Sequence, residues 1–558
     1  MKLLSPKIKY LFDEFSIVEK VIFSALSFFL IFSTAMLFIG IIDLFRHDAA
    51  AYGGTLHEGV IGVPNFINPL LSNTSAGRDL AYLTYSGLMK INEHGQVVPD
   101  LAESYTLSDD GLTYTFKMRN DIFFHDGEHI TTKDVAFTIE KAKDLRVKSP
   151  LASNWLGVTV KAVDEKTVTF SLKTRYSPFL ENTAIGILPE HIWKDAELDQ
   201  FTFSPYNFDP IGSGAYEMAE IKRKADGTPE YYKLTSFNDY GPGEKHISTI
   251  YIHIYPDTSS LLSALRKGDI ESAADIKPSD AKALANEGYR IEKAKLLRVF
   301  GVFFNQNQVA LFTDRDVRLA LSLAVDKKQI IDKVLLSYAH VEDAPLPGGS
   351  TLEATTTDHA GAAIKLLESK GWKKNAGGIM EKKSGSGTIT LSFTLSTSDN
   401  PELVAAAALL KEQWKEIGAD VTITSLEPSE LNQTVIRPRK YDALLFGEII
   451  GRGNDLYPFW YSGERKDPGL NIALYTNAKA DTLLQKARMA TSSDEVMKNI
   501  SAFEDLVRAD VPAIFLYSPE FLYVVPERLK GLTLPSLELG TERWTGIFAS
   551  FINVKKQW

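Results

Sequence analysis

The chain has 558 residues, of which 44% are hydrophobic and 24% are charged, and its formal net charge is −10. This composition is typical of a folded globular protein, and the negative charge argues against nucleic acid or an anionic membrane surface as the main partner. The chain contains no cysteine, which excludes disulfides, lipid attachment through a cysteine and thiolate metal sites.

The first predicted element is a continuous apolar segment, residues 21–42, without a charged side chain. A helix of this length spans the roughly 30 Å of a bilayer core. Lys2, Lys7 and Lys9 precede the segment, and this charge bias predicts a cytoplasmic N-terminus and an extracytoplasmic body. The segment is longer than the apolar core of a signal peptide, so we expect a retained anchor. Cleavage near Ala49–Ala51 is the alternative.

The body begins with a region whose pattern is typical of an α+β unit. Residues 112–118 and 166–173 alternate between apolar and polar side chains, which predicts two half-buried strands. Thr131 and Asp134 have the spacing of a capping box at the start of a helix.

Longer segments with apolar residues at helical spacing follow on both sides of this unit. They predict helices over residues 79–89, 314–335 and 401–417. The Pro- and Gly-rich residues 210–216 predict a crossover between domains.

Motifs of catalysis are missing from the sequence: there is no P-loop, GxGxxG, GxSxG or HExxH. Residues 125–129, His-Asp-Gly-Glu-His, suggest a metal site, but a tight turn between a strand and a helix is the preferred interpretation. Asp109 and Asp110 beside Gly111 predict a solvated turn and not a catalytic pair. We therefore expect no catalytic residue, no metal and no cofactor.

One long segment and a series of short ones carry a resemblance to a known family. The long segment is VVPDLAESYTLSDDGLTYTFKMRNDIFFHDGEHITTKDVAFTIEKAKD at 97–144. The short ones follow in the expected order: NPLL at 68–71, ILPEHIW at 187–193, PIGSGAY at 210–216, FFNQN at 303–307, DVRLALSLAVDKKQII at 316–331, YDALLFG at 441–447, NIALYTNAKADTLL at 471–484 and DVPAIFLY at 510–517. The chain thus resembles the extracytoplasmic solute-binding proteins, family 5, of peptide/nickel-type ABC transporters.

The resemblance implies an α/β fold of the class-II periplasmic-binding-protein type, with two lobes, a hinge and an inserted α+β subdomain. With the anchor, the expected order of domains is a cytoplasmic segment at 1–20, the transmembrane anchor at 21–42, a discontinuous lobe 1 at 52–75, 211–295 and 515–558, the inserted subdomain at 76–210, and lobe 2 at 296–514.

The resemblance also implies a monomeric receptor, not an enzyme, that closes on a solute and hands it to the permease of an ABC importer. A peptide is the expected ligand. Oligosaccharides, opines and metal chelates also bind to this fold, so a non-peptide solute is the first alternative. An exocytoplasmic hydrolase is the second, and the missing catalytic motifs argue against it.

The expected ligand site follows from the same resemblance. In peptide-binding members an Asp four residues after the equivalent of Gly447 captures the peptide amine, but this chain has Gly451 there. Glu448 and Asp455 are the acids available in this loop, either as anchors or as solvated residues. The other candidates lie in segments that line the cleft in relatives, and each aromatic one has core packing as its alternative: Asn65, Phe66, Tyr85, Trp155, Asn305, Trp460 and Tyr475.

Overall fold

The computed structural model describes residues 15–44, 47–241, 245–348, 358–385 and 387–557. Its central feature is a 12-stranded sheet in which ten strands follow one another in space and two more pair beside them. The ten, in spatial order, are Asp420–Leu426, Ser392–Ser398, Ala443–Ile449, Arg298–Phe304, Ala513–Val525, Ser272–Ala274, Thr55–Ile61, Thr249–Tyr255, Pro229–Ser236 and Tyr216–Arg223. The two others, Arg290–Lys295 and Ala339–Val341, pair with Ala513–Val525.

One strand, Ala513–Val525, belongs to both halves of this sheet. Its first part pairs with Arg298–Phe304 and its last part with Arg290–Lys295. Where the chain crosses between the halves, the Ser518 hydroxyl donates a hydrogen bond of 2.8 Å to the Leu296 carbonyl. Two adjacent crossings leave a narrow connection, which is the hinge of a two-lobed protein.

Lobe 1 is the half-sheet from Ser272–Ala274 to Tyr216–Arg223. Thr55–Ile61 runs parallel to both of its neighbours, so the carboxyl ends of three strands reach the same edge of the sheet. Apolar clusters on both faces form its core. The helices that pack on it are Thr258–Lys267, Pro278–Asn286 and Arg543–Ala549.

Lobe 2 is the half-sheet from Asp420–Leu426 to Arg298–Phe304, also with an apolar cluster on each face. Its helices are Arg315–Leu323, Lys327–Val334, His359–Ser369, Pro401–Glu416, Pro428–Leu431, Tyr457–Trp460, Ala478–Met489 and Ser493–Asp510. A small sheet beside them contains Lys373–Lys374, Met380–Ser384 and Gly387–Thr390.

The single helix predicted over residues 314–335 is wrong, because the structure has two helices there. The Asp326 side chain caps the second helix by accepting a hydrogen bond of 2.9 Å from the Gln329 amide. A capping residue starts a new helix and so interrupts the one before it.

The inserted subdomain is α+β, as the sequence predicts. Its four-stranded antiparallel sheet has the order Ala102–Leu107, Thr113–Met118, Thr167–Ser171, Thr159–Ala162, and Met89–Ile91 pairs separately with Val97–Pro99. Its helices are Thr132–Lys143, Ala152–Trp155, Phe179–Asn182 and Glu190–Trp193, whereas the preceding helix Ser75–Thr84 packs on the core of lobe 1.

The start of the helix Thr132–Lys143 has the predicted capping box. The Thr131 amide donates to Asp134 at 2.8 Å, and the Thr131 hydroxyl oxygen accepts from the Lys133 amide. The helix predicted over 79–89 ends early, at Thr84, because Tyr85 has an extended backbone (φ −125°, ψ 146°).

The histidine-containing segment 125–129 forms a turn. The Gly127 amide donates to the Phe124 carbonyl, and the ring of His125 contacts the Gly212 amide at 3.3 Å and the Gly214 carbonyl at 3.2 Å. Burial lowers the pKa of His125 to about 4, so the ring is neutral at physiological pH. This histidine therefore joins the inserted subdomain to the predicted crossover segment.

The apolar N-terminal segment is part of a helix, Ile17–Leu44, that starts before the predicted span. Within it, Ile17–Phe38 is long and apolar enough to cross a membrane, with a mean hydropathy of 2.3 and no buried part. After it, His47–Ala51 pairs with Asn553–Gln557 near the other end of the chain.

Candidate ligand-binding site

A cavity of about 380 Å³ lies between the two lobes. Its lobe 1 wall contains Gly59–Ile61 and Ala274–Asp275, at the carboxyl ends of parallel strands. Arg298 and Ile449 of lobe 2 line the opposite side. Ligands of open α/β sheets bind beyond the carboxyl ends of the strands, so this interlobe cleft has the expected position.

Three charged side chains in the cleft form no ion pair among the described residues: Arg78, Asp275 and Arg298. The Nε atom of Arg298 is buried and has no hydrogen-bond partner in the described part of the chain. Asp275 is exposed to the cleft and has a positive φ of 59°, a strained backbone conformation for a residue with a side chain. The cleft thus offers two cations and one carboxylate to a ligand.

Neighbouring protein atoms replace part of the water around Asp275 and so raise its pKa, and Arg543 and Arg298 offset part of this effect. A carboxylate with this balance gains from a cationic ligand group placed beside it.

Beneath the cleft lies a buried network around Arg543. Its guanidinium contacts Glu58 at 2.9 Å and Asp79 at 2.7 Å, and Tyr523 donates a hydrogen bond of 2.8 Å to Glu58. The network links the central strand of lobe 1 to the helices Ser75–Thr84 and Arg543–Ala549. It fixes one wall of the cleft.

The loop after Ala443–Ile449 meets a second cluster of charges. Arg452 pairs with Glu542 at 2.5 Å, and its Nε atom has no partner among the described residues. Gly451 has a φ of +75°, and a Cβ atom there would lie 3.3 Å from Glu538 Oε2. A Cβ atom at Gly453 would lie 3.3 Å from Glu181 Oε1.

The acids of this cluster are perturbed by their surroundings. Burial raises the pKa of Glu181 to about 7, and Glu538 adds to the effect by repulsion. Burial and the neighbouring Glu542 also raise the pKa of Glu538, while Arg452 lowers it. Glu181, Glu538 and Glu542 thus surround the single guanidinium of Arg452. This cluster, where lobe 2, the inserted subdomain and the C-terminal segment meet, has more negative than positive groups.

The residues that the sequence predicts for the ligand site lie in several parts of the structure. Asn65 is exposed, Phe66 packs its ring 6.1 Å from that of Phe208, and Tyr85 lines a cavity next to the cleft. Gly447 lies on a strand of lobe 2 opposite Phe300.

Three predicted aromatic residues lie in the interiors of the inserted subdomain and of lobe 2: Trp155, Trp460 and Tyr475. Trp155 packs against Phe170 and Phe179 in the inserted subdomain. In lobe 2, Trp460 is fully buried and Tyr475 donates a hydrogen bond of 2.6 Å to Asp510. That these aromatic residues contact a ligand stays a prediction.

The polar candidates of lobe 2 also have structural partners. Asn305 is buried and donates to the Arg439 carbonyl at 2.9 Å. Asp455 pairs with Arg488 at 2.9 Å. Glu448 is buried, which raises its pKa well above the ordinary value. Their roles in binding stay predictions, and we do not include them in the proposed site.

The sequence does not predict four residues of the candidate ligand site: Arg78, Asp275, Arg298 and Glu538. They lie in four distant segments, and no local pattern marks them as a group. Only the sheet and its crossings bring these segments together.

Comparisons with known proteins agree with this architecture. Residues 96–471 match the model of the family described as bacterial extracellular solute-binding proteins, family 5. The oligopeptide-binding protein AppA of Bacillus subtilis is 30% identical over 510 residues, which cover 88% of this chain and 91% of AppA.

Two solved structures are similar over almost their whole length. AppA in complex with a nonapeptide has a TM-score of 0.68 at 28% identity and covers 90% of this chain and 100% of its own. NikZ of Campylobacter jejuni in complex with Ni(L-His) has a TM-score of 0.69 at 27% identity, and the match covers 89% of this chain and 99% of NikZ. The relatives are named as binding proteins, in agreement with a receptor that is not an enzyme. The chain belongs to the bacterial extracellular solute-binding proteins of family 5.

Proposed function

We propose that this protein is a membrane-tethered receptor that binds a peptide between its lobes and delivers it to the permease of an ABC importer. The interlobe cleft carries the proposal, because residues on both sides of the hinge line it. A ligand that contacts both lobes only when they are closed stabilises the closed state. The similarity to AppA, an oligopeptide-binding protein, supports a peptide as the ligand.

The charges of the cleft favour a ligand that carries both signs. Arg78 and Arg298 suit a carboxylate, and guanidinium groups bind carboxylates with two parallel hydrogen bonds. A peptide with free ends supplies one carboxylate and one ammonium group.

Glu538 is our candidate for the group that holds the ammonium. It lies beside Gly451, the position where peptide-binding relatives have their Asp. Its backbone carbonyl lies 3.5 Å from the Arg298 guanidinium, and the next residue, Leu539, lines the cleft. A carboxylate from the C-terminal segment would thus replace the one missing from the loop.

Matched peptides test this assignment on the full chain in detergent. By calorimetry, trialanine should bind about 10- to 100-fold more tightly than N-acetyl-trialanine or trialanine amide, because each blocked form loses one charged hydrogen bond. Glu538→Gln should abolish the discrimination against the acetylated peptide. Arg298→Gln should abolish the discrimination against the amide.

Exposed residues provide the controls for both substitutions. Glu103→Gln and Arg266→Gln change charges on the surface, far from the cleft lining, and should leave both preferences intact. Equal affinities of the wild type for all three peptides would contradict the charge assignment. Failure of all of them to bind would contradict the peptide receptor.

The tether is part of the proposal. The helix Ile17–Leu44 would remain in the membrane with the N-terminus in the cytoplasm, and the body would act outside as a monomer. Keeping the receptor close to its permease raises the effective concentration without a change in affinity. A mature N-terminus near Ala51, found by N-terminal sequencing, would contradict it.

The domain limits predicted from the sequence are also part of this proposal. The crossing at Leu296 agrees with a border between lobe 1 and lobe 2 at 295 and 296.

A non-peptide solute is the second candidate function. NikZ, at a similar level of identity, was solved with Ni(L-His), and this chain has Gly451 in place of the Asp of peptide binders. A small chelate also carries a carboxylate that Arg78 or Arg298 could bind. Binding of Ni(L-His) without binding of any tripeptide would favour this candidate.

A further inference from the structure

A second cavity of about 410 Å³ lies between lobe 1 and the inserted subdomain, and none of the described residues of 296–514 lines it. It shares three lining residues with the interlobe cleft: Arg78, Leu539 and Thr541. This side cavity therefore adjoins the cleft at one end. Its volume lies within the range of small-molecule sites.

The walls of the side cavity are mostly apolar and come from both regions. Tyr82 and Phe548 form a stacked pair with ring centroids 6.0 Å apart. Met89, Ile91 and Leu151 add aliphatic surface. An apolar group that leaves water for such a cavity is stabilised in proportion to the area it buries.

Two charged residues along the cavity, Lys90 and Asp100, are paired with each other, whereas Arg78 lies at the end that the cavity shares with the cleft. Lys90 contacts Asp100 at 3.1 Å, and the Tyr240 hydroxyl donates to Asp100 at 3.0 Å. A charged occupant would have to compete with this pairing. The cavity therefore disfavours a full charge on its occupant.

Tyr85 is a polar residue of the lining whose hydroxyl group has not found a partner in the described part of the chain. The residue is only 5% exposed, and its buried hydroxyl group has no hydrogen-bond partner among the described residues. The backbone packs closely on Tyr85: an added Cβ atom would lie 2.6 Å from the Tyr85 Cβ at Gly186 and 3.2 Å from the Tyr85 Cδ1 at Gly212. A buried hydroxyl without a partner is unfavourable, so an occupant with a polar atom at this position gains from it.

We propose that the side cavity binds one side chain of the ligand, and that it selects an aromatic side chain with a hydrogen-bonding group, such as tyrosine or tryptophan. The proposal rests on the proposed function, since it takes the ligand to be a peptide in the adjoining cleft. The apolar walls bind the ring, and Tyr85 binds the polar group at its edge.

Competition native mass spectrometry of the full chain in detergent tests the selection. The probes are trialanine and the sets of alanine tripeptides with one Tyr, Phe, Leu or Lys at each position. The best Tyr peptide should bind about 10-fold or more tightly than trialanine, because its ring is buried. It should bind about three- to tenfold more tightly than the matching Phe peptide, because it forms one more hydrogen bond.

Two variants separate the two parts of the selection. Tyr85→Phe, which keeps the shape of the ring, should remove the preference for Tyr over Phe. Leu151→Trp, which enlarges a lining side chain, should remove the preference for aromatic peptides over trialanine.

Each outcome decides one claim. If all the tripeptides bind equally, the side-chain pocket is wrong while the peptide receptor stands. If no tripeptide binds, the proposed function fails, and this inference fails with it. If Tyr85→Phe keeps the preference for Tyr, the hydroxyl is not the recognising group and the assignment of Tyr85 is wrong.

Discussion

Arg543 and Arg452 are both largely buried and both pair with glutamates, but they lie in different mechanical settings. Arg543 contacts Glu58 and Asp79 through all three of its nitrogen atoms, within a rigid part of lobe 1 and its flanking helices. Arg452 has one ion pair, to Glu542, and a nitrogen atom without a partner among the described residues.

The difference follows from what each cluster connects. The Arg543 network joins elements that stay together when the lobes move, so it can be fully bonded. The Arg452 cluster joins lobe 2 to Glu181 of the inserted subdomain and to the C-terminal segment, so under the proposed closure we expect it to form and break. Incomplete pairing in the second cluster would lower the cost of that proposed step.

The largest expected effect is on Arg543. Arg543→Met should lower the free energy of unfolding by about 3–5 kcal/mol, because Glu58 and Asp79 remain buried without a counter-charge. Urea unfolding followed by tryptophan fluorescence measures it. Arg266→Met, which breaks an exposed pair with Glu287, is the control and should cost less than about 1 kcal/mol. Equal losses in the two variants would remove the contrast between buried and exposed pairs.

The second effect is a pH dependence of the free energy of unfolding, which comes from Glu181 in the Arg452 cluster. The pKa of Glu181 is raised from 4.5 to about 7, so between these values the folded protein holds a proton that the unfolded chain has lost. Stability should therefore fall as the pH rises from about 4.5 to 7, by at most about 3 kcal/mol, and then level off.

Glu181→Gln should remove this part of the slope, measured as the difference in unfolding free energy between the two proteins at each pH. Glu165→Gln, an exposed glutamate in a turn, is the control. A constant difference across this pH range would contradict the assignment.

Substitution of Arg452 should have the smallest effect on the free energy of unfolding. At pH 6, Arg452→Met should cost about 1–2 kcal/mol, because the acids around it can take up protons in place of the lost counter-charge. The cost should rise toward pH 8, where Glu181 is ionised. A loss as large as that of Arg543→Met at pH 6 would mean that the two clusters are equivalent.

The sequence predicts the inserted subdomain better than the cleft. The strand at 113–118 and the capping box at Thr131 follow from local alternation and local hydrogen bonds, which a single sequence contains. The two-lobed fold follows from the resemblance and not from any local pattern.

The cleft depends on contacts between distant segments, and these are not visible in one sequence. Glu448 illustrates the difficulty: it lies opposite Val299 on the strand face that points to the interior of lobe 2. A glutamate in a loop motif suggests a ligand contact, but the register of the strand places it in the core. The binding role of Glu448 stays a prediction, and Glu538, which no motif marks, is the acid that we propose for the ligand amine.

The most direct test of the account is native mass spectrometry of the full chain released from detergent micelles, with fragmentation of whatever is bound. We predict a series of adducts that fragment as short peptides with free termini, enriched in tyrosine or tryptophan. A single bound mass that does not fragment as a peptide would contradict the peptide receptor.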